Sequence, residues 1–229
     1  PTMDVGGYDA KFKLVIAAAH AYGVVVKPEE VFNIGIQTLS AYDLQYAREK
    51  NLKIKLVPVA KELDDNHVAL FVLPKFVTES EFLYNVEYEY NGVIVQAAFA
   101  DQQFFFGKGA GGHPTGSAVL SDIAALRYDY QYEYKKAKSK KDLNFTNDIE
   151  INIYLRYEDD DLVEALGFEY IHERYLSGNY KFVIGKINLQ KLIDNQHRIL
   201  NQRAFIAFAD QLKGVSLAPA RKQAEEVLQ

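Results

Sequence analysis

The strongest periodic signal lies near the start of the chain. From Tyr8 to Tyr22, Phe12, Val15, Ile16 and Ala19 recur at helical spacing while Leu14, Ala17 and Ala18 fill the remaining sides. A helix apolar on every side is a buried one. Gly23 ends it, Val24, Val25 and Val26 form a short extended connector, and Pro28-Glu29-Glu30 opens a brief second helix with acids in its first turn. A third helix is predicted over residues 38–50, carrying Leu39, Tyr42, Leu44 and Tyr46 among charged residues and closing at Asn51.

The period then changes from helix to strand. Residues 53–59 and 67–73 read as strands separated by the polar turn Asp64-Asp65-Asn66. Val86, Tyr88 and Tyr90 alternate with Glu87 and Glu89, Asn91-Gly92 is a hairpin-turn dipeptide, and Val93-Ile94-Val95 continues beyond it. A third run ends in Phe104-Phe105-Phe106 and completes a predicted meander, and a helix is expected over residues 117–126. The lysine-rich run 135–141 cannot contribute to a core and marks a solvated linker. After it the order is strand 149–157, helix 161–166, strands 170–175 and 180–187, helix 189–194 and strand 204–208, a ferredoxin-like β-α-β-β-α-β arrangement. The expected class is therefore α+β. A mixed or antiparallel sheet covered by helices occupies residues 1–134, followed by a linker at 135–147, a second unit at 148–210, and a tail at 211–229 with a helical stretch over 221–228.

Composition narrows the chemistry. The chain has 229 residues, 48% hydrophobic and 25% charged, enough for one large or two modest cores. It has no cysteine, which excludes disulfides, cysteine-ligated metals and thiol catalysis. With 26 basic and 31 acidic residues the net charge is −5, so neither nucleic acid nor an anionic membrane is an expected partner. No run approaches the ~20 apolar residues of a membrane span and no signal peptide opens the chain, so a cytoplasmic address is expected. The abrupt start Pro1-Thr2-Met3-Asp4 fits either loss of an initiator methionine or a piece of a longer protein.

Two constellations could carry chemistry. Asp4 precedes the first helix, Asp9 lies in its first turn, and Lys13 follows four residues later on the same helix face. Such a pair can be a simple surface ion pair, but a lysine among carboxylates on a helix expected to be buried can also relay a proton. The second is Gly107-Lys108-Gly109-Ala110-Gly111-Gly112-His113-Pro114-Thr115. It satisfies G-x-G-x-x-G, yet it ends an antiparallel meander instead of opening a parallel βαβ unit, which argues against a dinucleotide fingerprint. Glycine at that density implies close backbone approach to a ligand or another element. Glu158-Asp159-Asp160-Asp161 reads as a solvated turn, since cation-ligand spacing is lacking. Asn144-Phe145-Thr146 matches a glycosylation sequon, without meaning in the cytoplasm, and His20, His67, His172 and His197 have no paired ligand spacing, so no metal is expected.

Taken in order, these residues resemble the catalytic part of the homoserine dehydrogenase family. That family carries an Asp and then Gly-x-Asp-Ala-x-x-Lys heading a helix, and the chain reads Asp4-Val5-Gly6-Gly7-Tyr8-Asp9-Ala10-Lys11-Phe12-Lys13. Further matches are Phe32-Asn33-Ile34-Gly35-Ile36, Ile54-Lys55-Leu56, and Gly109-Ala110-Gly111 through Pro114-Thr115 to Ala118-Val119-Leu120-Ser121-Asp122-Ile123. The resemblance implies interconversion of L-homoserine and L-aspartate 4-semialdehyde with NAD(P), in the route to threonine, methionine and isoleucine. It implies Lys13 as the proton-transfer group, Asp9 holding lysine and substrate, Asp4 as their polar neighbour, and Gly109, Ala110 and Gly111 as the turn facing the nicotinamide end of the cofactor. It also implies an N-terminal Rossmann domain and an upstream glutamate that this sequence does not contain, so the chain is expected to be a fragment, inactive alone. A homodimer is implied as well. Residues 148–210 resemble the family's ACT module more faintly: Ile151 to Arg156 fits its first strand, while Glu158-Asp159-Asp160-Asp161 replaces the usual Asp-x-Pro-Gly turn. The alternative reading is a non-catalytic amino-acid-sensing or dimerisation module derived from this family.

Overall fold

The computed structural model describes residues 2–64, 66–130 and 143–210. The lysine run 135–141 and the tail 211–229, including the helix expected over 221–228, lie outside them. Two helices open the chain, α1 (Thr2–Val5) and α2 (Tyr8–Tyr22). Between them the backbone turns at Gly6 and Gly7, whose amides donate to the Thr2 and Asp4 carbonyls. Gly7 has a φ of 76°, a left-handed value that favours glycine. The span of α2 agrees with the apolar period, and Gly23, also left-handed, closes it by donating to the Ala19 carbonyl. Its burial differs from the expectation. Lys11, Leu14, Ala18 and Ala19 are buried, whereas Phe12 is 42% and Ile16 61% exposed. Only one face of α2 meets the sheet, so apolarity on the other sides leaves an uncovered row.

The chain continues through a single 3₁₀ turn (Pro28–Glu30) into the short strand β1 (Phe32–Asn33). Helix α3 (Ala41–Glu49) begins at Ser40, whose hydroxyl accepts from the Asp43 amide while the Asp43 carboxylate accepts from the Ser40 amide, a reciprocal cap. Strands β2 (Leu52–Glu62) and β3 (His67–Thr78) pair antiparallel from Leu52 opposite Thr78 to Glu62 opposite Val68, further than the apolar runs alone indicated. Strand β3 is buried on both faces. Val68, Leu70 and Val72 pack under α2 with Leu14 and Ala18, while Ala69, Phe71 and Leu73 face the opposite core.

The predicted meander is a two-stranded ribbon, β4 (Tyr90–Ala97) with β5 (Asp101–Lys108). Asn91-Gly92 is not its turn. Both residues lie inside β4, Gly92 opposite Phe106, and the chain reverses at residues 98–100. Glycine is needed at 92 for space: a Cβ there would stand 2.8 Å from the Phe104 ring and from a Val86 methyl. Val86, expected in a strand, follows a 3₁₀ turn (Phe82–Asn85) instead. Helix α4 (Gly112–Leu126) then projects with no buried residue.

Strand β6 (Asn144–Phe145) joins β3 in parallel, and β7 (Glu150–Tyr157), α5 (Asp160–Leu166), β8 (Tyr170–Leu176), β9 (Lys181–Asn188), α6 (Leu189–Asp194), α7 (Gln196–Asn201) and β10 (Phe205–Phe208) complete the chain. The expected β-α-β-β-α-β order is present, its strands lying β10-β7-β9-β8 with each antiparallel to its neighbour. Helix α7, absent from the sequence reading, continues after Asn195. Phe208 of β10 pairs in parallel with Lys75 of β3, so both halves share one mixed eight-stranded sheet. On one face α5, α6 and α7 bury Leu162, Leu166, Leu189, Leu192 and Ile199. On the other, Tyr46 of α3 packs on Phe76, Tyr154 and Phe182, with ring centroids 4.9–5.4 Å apart.

A buried ion pair ties α3 to β7 on this second face. The Arg156 Nε donates to both Asp43 carboxylate oxygens at 3.0 and 2.9 Å, and Tyr154 donates to the same carboxylate at 3.1 Å. Arg156 also donates to the Thr38 and Arg203 carbonyls. None of the described helices is long and apolar enough to cross a membrane.

Candidate functional site

The first turn of α2 brings two of the candidate residues together. Lys13 Nζ lies 2.6 Å from an Asp9 carboxylate oxygen, as the i,i+4 spacing requires. The pair is open to solvent, its side chains 69% and 45% exposed. It stands beside the uncovered row Tyr8, Phe12 and Ile16 on the same side of the helix. An ion pair in that setting adds little stability, so what the fold supplies is orientation.

That orientation comes from behind the helix. The Ile36 amide donates to the Val5 carbonyl at 2.9 Å, and Asn33 Nδ2 donates to the Gly6 carbonyl at 2.8 Å. Gly35 permits this approach: a Cβ there would stand 1.9 Å from the Val5 oxygen. Thus β1 and the loop after it clamp the Gly6–Gly7 turn, which sets where α2 begins and where Asp9 and Lys13 point. Asn33 and Gly35 were part of the sequence resemblance, but their task was not legible from it. Asp4 is exposed on α1, its carbonyl accepting from Gly7, and no hydrogen bond or ion pair links its side chain to Asp9 or Lys13.

Gly109, Ala110 and Gly111 form the exposed turn between β5 and α4. The Gly109 amide donates to the Glu89 carbonyl, and Gly111 has a φ of 116°. Added Cβ atoms at Gly107, Gly112 and Gly116 would meet nothing within 4 Å. The chain's own packing therefore gives no reason for glycine at those three positions, which suits a side-chain-free surface approached by another molecule. Gly109 differs: an added Cβ there would stand 1.4 Å from Asn91 Nδ2, so the ribbon's own packing requires glycine at 109, and it is the bare positions around it that fit the approach of a cofactor ring. Among the described residues no hydrogen bond or ion pair joins this turn to Asp4, Asp9 or Lys13.

The acid run at 158–161 has structural employment. Asp159 caps α5 by accepting from the Asp161 amide, and Asp160 accepts from Lys181 at 2.7 Å and Arg174 at 3.0 Å, contacts that hold its carboxyl below the usual range. The described residues contain no group of three or more His, Asp or Glu able to hold a metal.

A family model for homoserine dehydrogenase matches residues 1–124, more than half of the chain. The chain belongs to the homoserine dehydrogenase family. The matched span includes α1, α2, the Gly35 clamp, the ribbon and most of α4. The homoserine dehydrogenase of Helicobacter pylori is 37% identical over 126 residues, covering 55% of this chain and 30% of its own length. That of a Synechocystis strain is 39% identical over 126 residues, covering 54% and 29%. The chain thus spans under a third of these curated relatives. A solved homoserine dehydrogenase from Thiobacillus denitrificans superposes with a TM-score of 0.71 at 22% identity, over 91% of this chain and 54% of the other. One from S. aureus gives 0.62 at 23% identity with the same coverages. These structural likenesses extend the shared fold past residue 124, into the β7–β10 unit.

Proposed function

We propose that the chain is the substrate-binding and proton-transfer portion of an NAD(P)-dependent homoserine dehydrogenase, interconverting L-homoserine and L-aspartate 4-semialdehyde on the route to threonine, methionine and isoleucine. The observation that carries this reading is the Asp9–Lys13 pair at 2.6 Å, oriented by the glycine clamp within the segment the family model matches.

In the oxidative direction Lys13 takes the proton from the substrate hydroxyl as that carbon becomes the aldehyde, and in reverse it returns the proton. Asp9 holds the lysine in line and, with Asp4, offers negative charge to the substrate ammonium. A bound nicotinamide dinucleotide supplies the hydride acceptor. The turn Gly109, Ala110 and Gly111 lets backbone approach the nicotinamide end without obstruction. Hydride and proton must leave one carbon–oxygen unit together, so water has to be kept from Lys13. In this chain that side is open, and the exposed row Tyr8, Phe12 and Ile16 borders it.

Accordingly the chain alone does not turn over. A cofactor domain, carried elsewhere in the full-length polypeptide, closes on this side and against the projecting α4. Residues 1–134 then form the catalytic and dimerisation domain of a cytoplasmic homodimer, 135–147 its linker, and 148–210 an ACT-like module that serves dimerisation. The deciding experiment is Lys13→Ala in the full-length enzyme. Turnover should fall about a hundredfold or more, the scale of a lost proton-transfer group. Near-normal turnover would remove the assignment.

A further inference from the structure

A cavity of about 100 Å³ lies between α2, the Pro28–Glu30 turn, β1 and the bend from α6 to α7, lined by Lys11, Glu29, Phe32, Asn33, Ile193 and Gln196. It is separate from the Asp9–Lys13 face, because Lys11 points inward from the same helix. Lys11 is only 8% exposed; among the described residues it makes no hydrogen bond or ion pair, and its Nζ stands 5.4 Å from the centroid of the Tyr8 ring. A buried cation with no carboxylate in contact is costly, and a structure that retains one has a use for an anion there. Burial pushes the Lys11 ammonium below its ordinary pKa, with Glu29 acting in the opposite sense.

We propose that this cavity binds a small zwitterion, an α-amino acid about the size of alanine, its carboxylate on Lys11 and its ammonium toward Glu29. Both charges are needed. A simple anion would meet the carboxylates of Glu29 and Glu30 at the rim, and a simple cation would meet Lys11. Glu30 is already engaged, accepting from the Lys27 amide at 3.1 Å, so Glu29 is the free acid. Phe32 and Ile193 supply apolar wall for a short side chain, and the space is large enough for several water-sized groups. The site joins the two halves of the chain: Gln196 of α7 donates to the Asn33 carbonyl of β1 at 3.1 Å across it. Bound ligand would therefore tie α7 to the clamp behind α2.

The test is calorimetric titration of the purified chain with L-alanine, acetate and methylammonium at constant ionic strength, which needs no turnover and so stands apart from the dehydrogenase reading. L-alanine should bind saturably with a Kd on the order of millimolar, and the two single-charge probes at least tenfold more weakly. Lys11→Met and Glu29→Gln should each weaken L-alanine tenfold or more. The Glu29 side chain is exposed, so that variant folds whatever Lys11→Met does. Lys13→Ala should bind L-alanine as the parent does. Absence of saturable binding, acetate binding equal to L-alanine, undiminished affinity in Glu29→Gln, or loss of binding in Lys13→Ala would overturn the proposal.

Discussion

Lys11 and Lys13 stand two positions apart on one helix and meet opposite surroundings, a distinction only the packed structure makes. The i,i+4 spacing of Asp9 and Lys13 was legible in the sequence, since two side chains on one helix must meet at that interval. Which face the sheet would cover was not, because an all-round apolar helix carries no stripe to orient it. Nothing in the sequence therefore sets Lys11 apart from a surface lysine. Its inward position has a consequence for pH dependence. Burial lowers its pKa in the folded state, so between that lowered value and the ordinary 10.5 the unfolded chain binds more protons, and this group's contribution makes stability rise with pH across that window. Urea midpoints measured through the alkaline range should rise less steeply for Lys11→Met than for the parent chain. Equal slopes would mean that Lys11 is as well solvated folded as unfolded.

At the scale of elements, the order of helices and strands followed from periodicity, while the special positions did not. Asn91-Gly92 is a strong local turn signal, yet Gly92 sits mid-strand because Phe104 and Val86 leave no room for a Cβ. Gly35 shows the same thing at the candidate site, where only the fold reveals that Val5 presses on it. Gly35→Ala should shift the Gly6–Gly7 turn, cost about 1–3 kcal/mol as overpacking does, and lower activity of the full-length enzyme through Asp9 and Lys13, although residue 35 touches neither. Denaturant titration alongside kinetics checks both effects. The Asp43–Arg156 pair, between α3 and β7, was equally invisible: its partners are 113 positions apart. Asp43→Ala leaves Arg156 buried and unpaired and should cost about 3–5 kcal/mol, whereas Asp43→Ala combined with Arg156→Met should recover part of that loss.

For the whole molecule, the two halves read from the sequence at the lysine run share one continuous sheet through β3 and β10. Local patterning specifies strands but not their neighbours, so this junction could not be read in advance. The ribbon and α4 are the opposite case, ordered elements with little to rest on. Val119, Leu120, Ile123 and Leu126 of α4 are all exposed, along with Val93 and Phe105 of the ribbon. Exposed apolar rows of that kind mark interaction sites. The isolated chain should therefore bind the dye ANS and gain mass with concentration in light scattering, and Leu120→Lys with Ile123→Lys should diminish both.

The central claim is that Lys13 moves the substrate proton, and amine rescue tests it most directly. In the full-length enzyme carrying Lys13→Ala, homoserine-dependent reduction of NAD(P)⁺ should fall about a hundredfold or more. Added small primary amines should restore it in proportion to their concentration, to a degree that tracks their basicity. Turnover near that of the parent enzyme, or a deep loss that no amine relieves, would contradict the account.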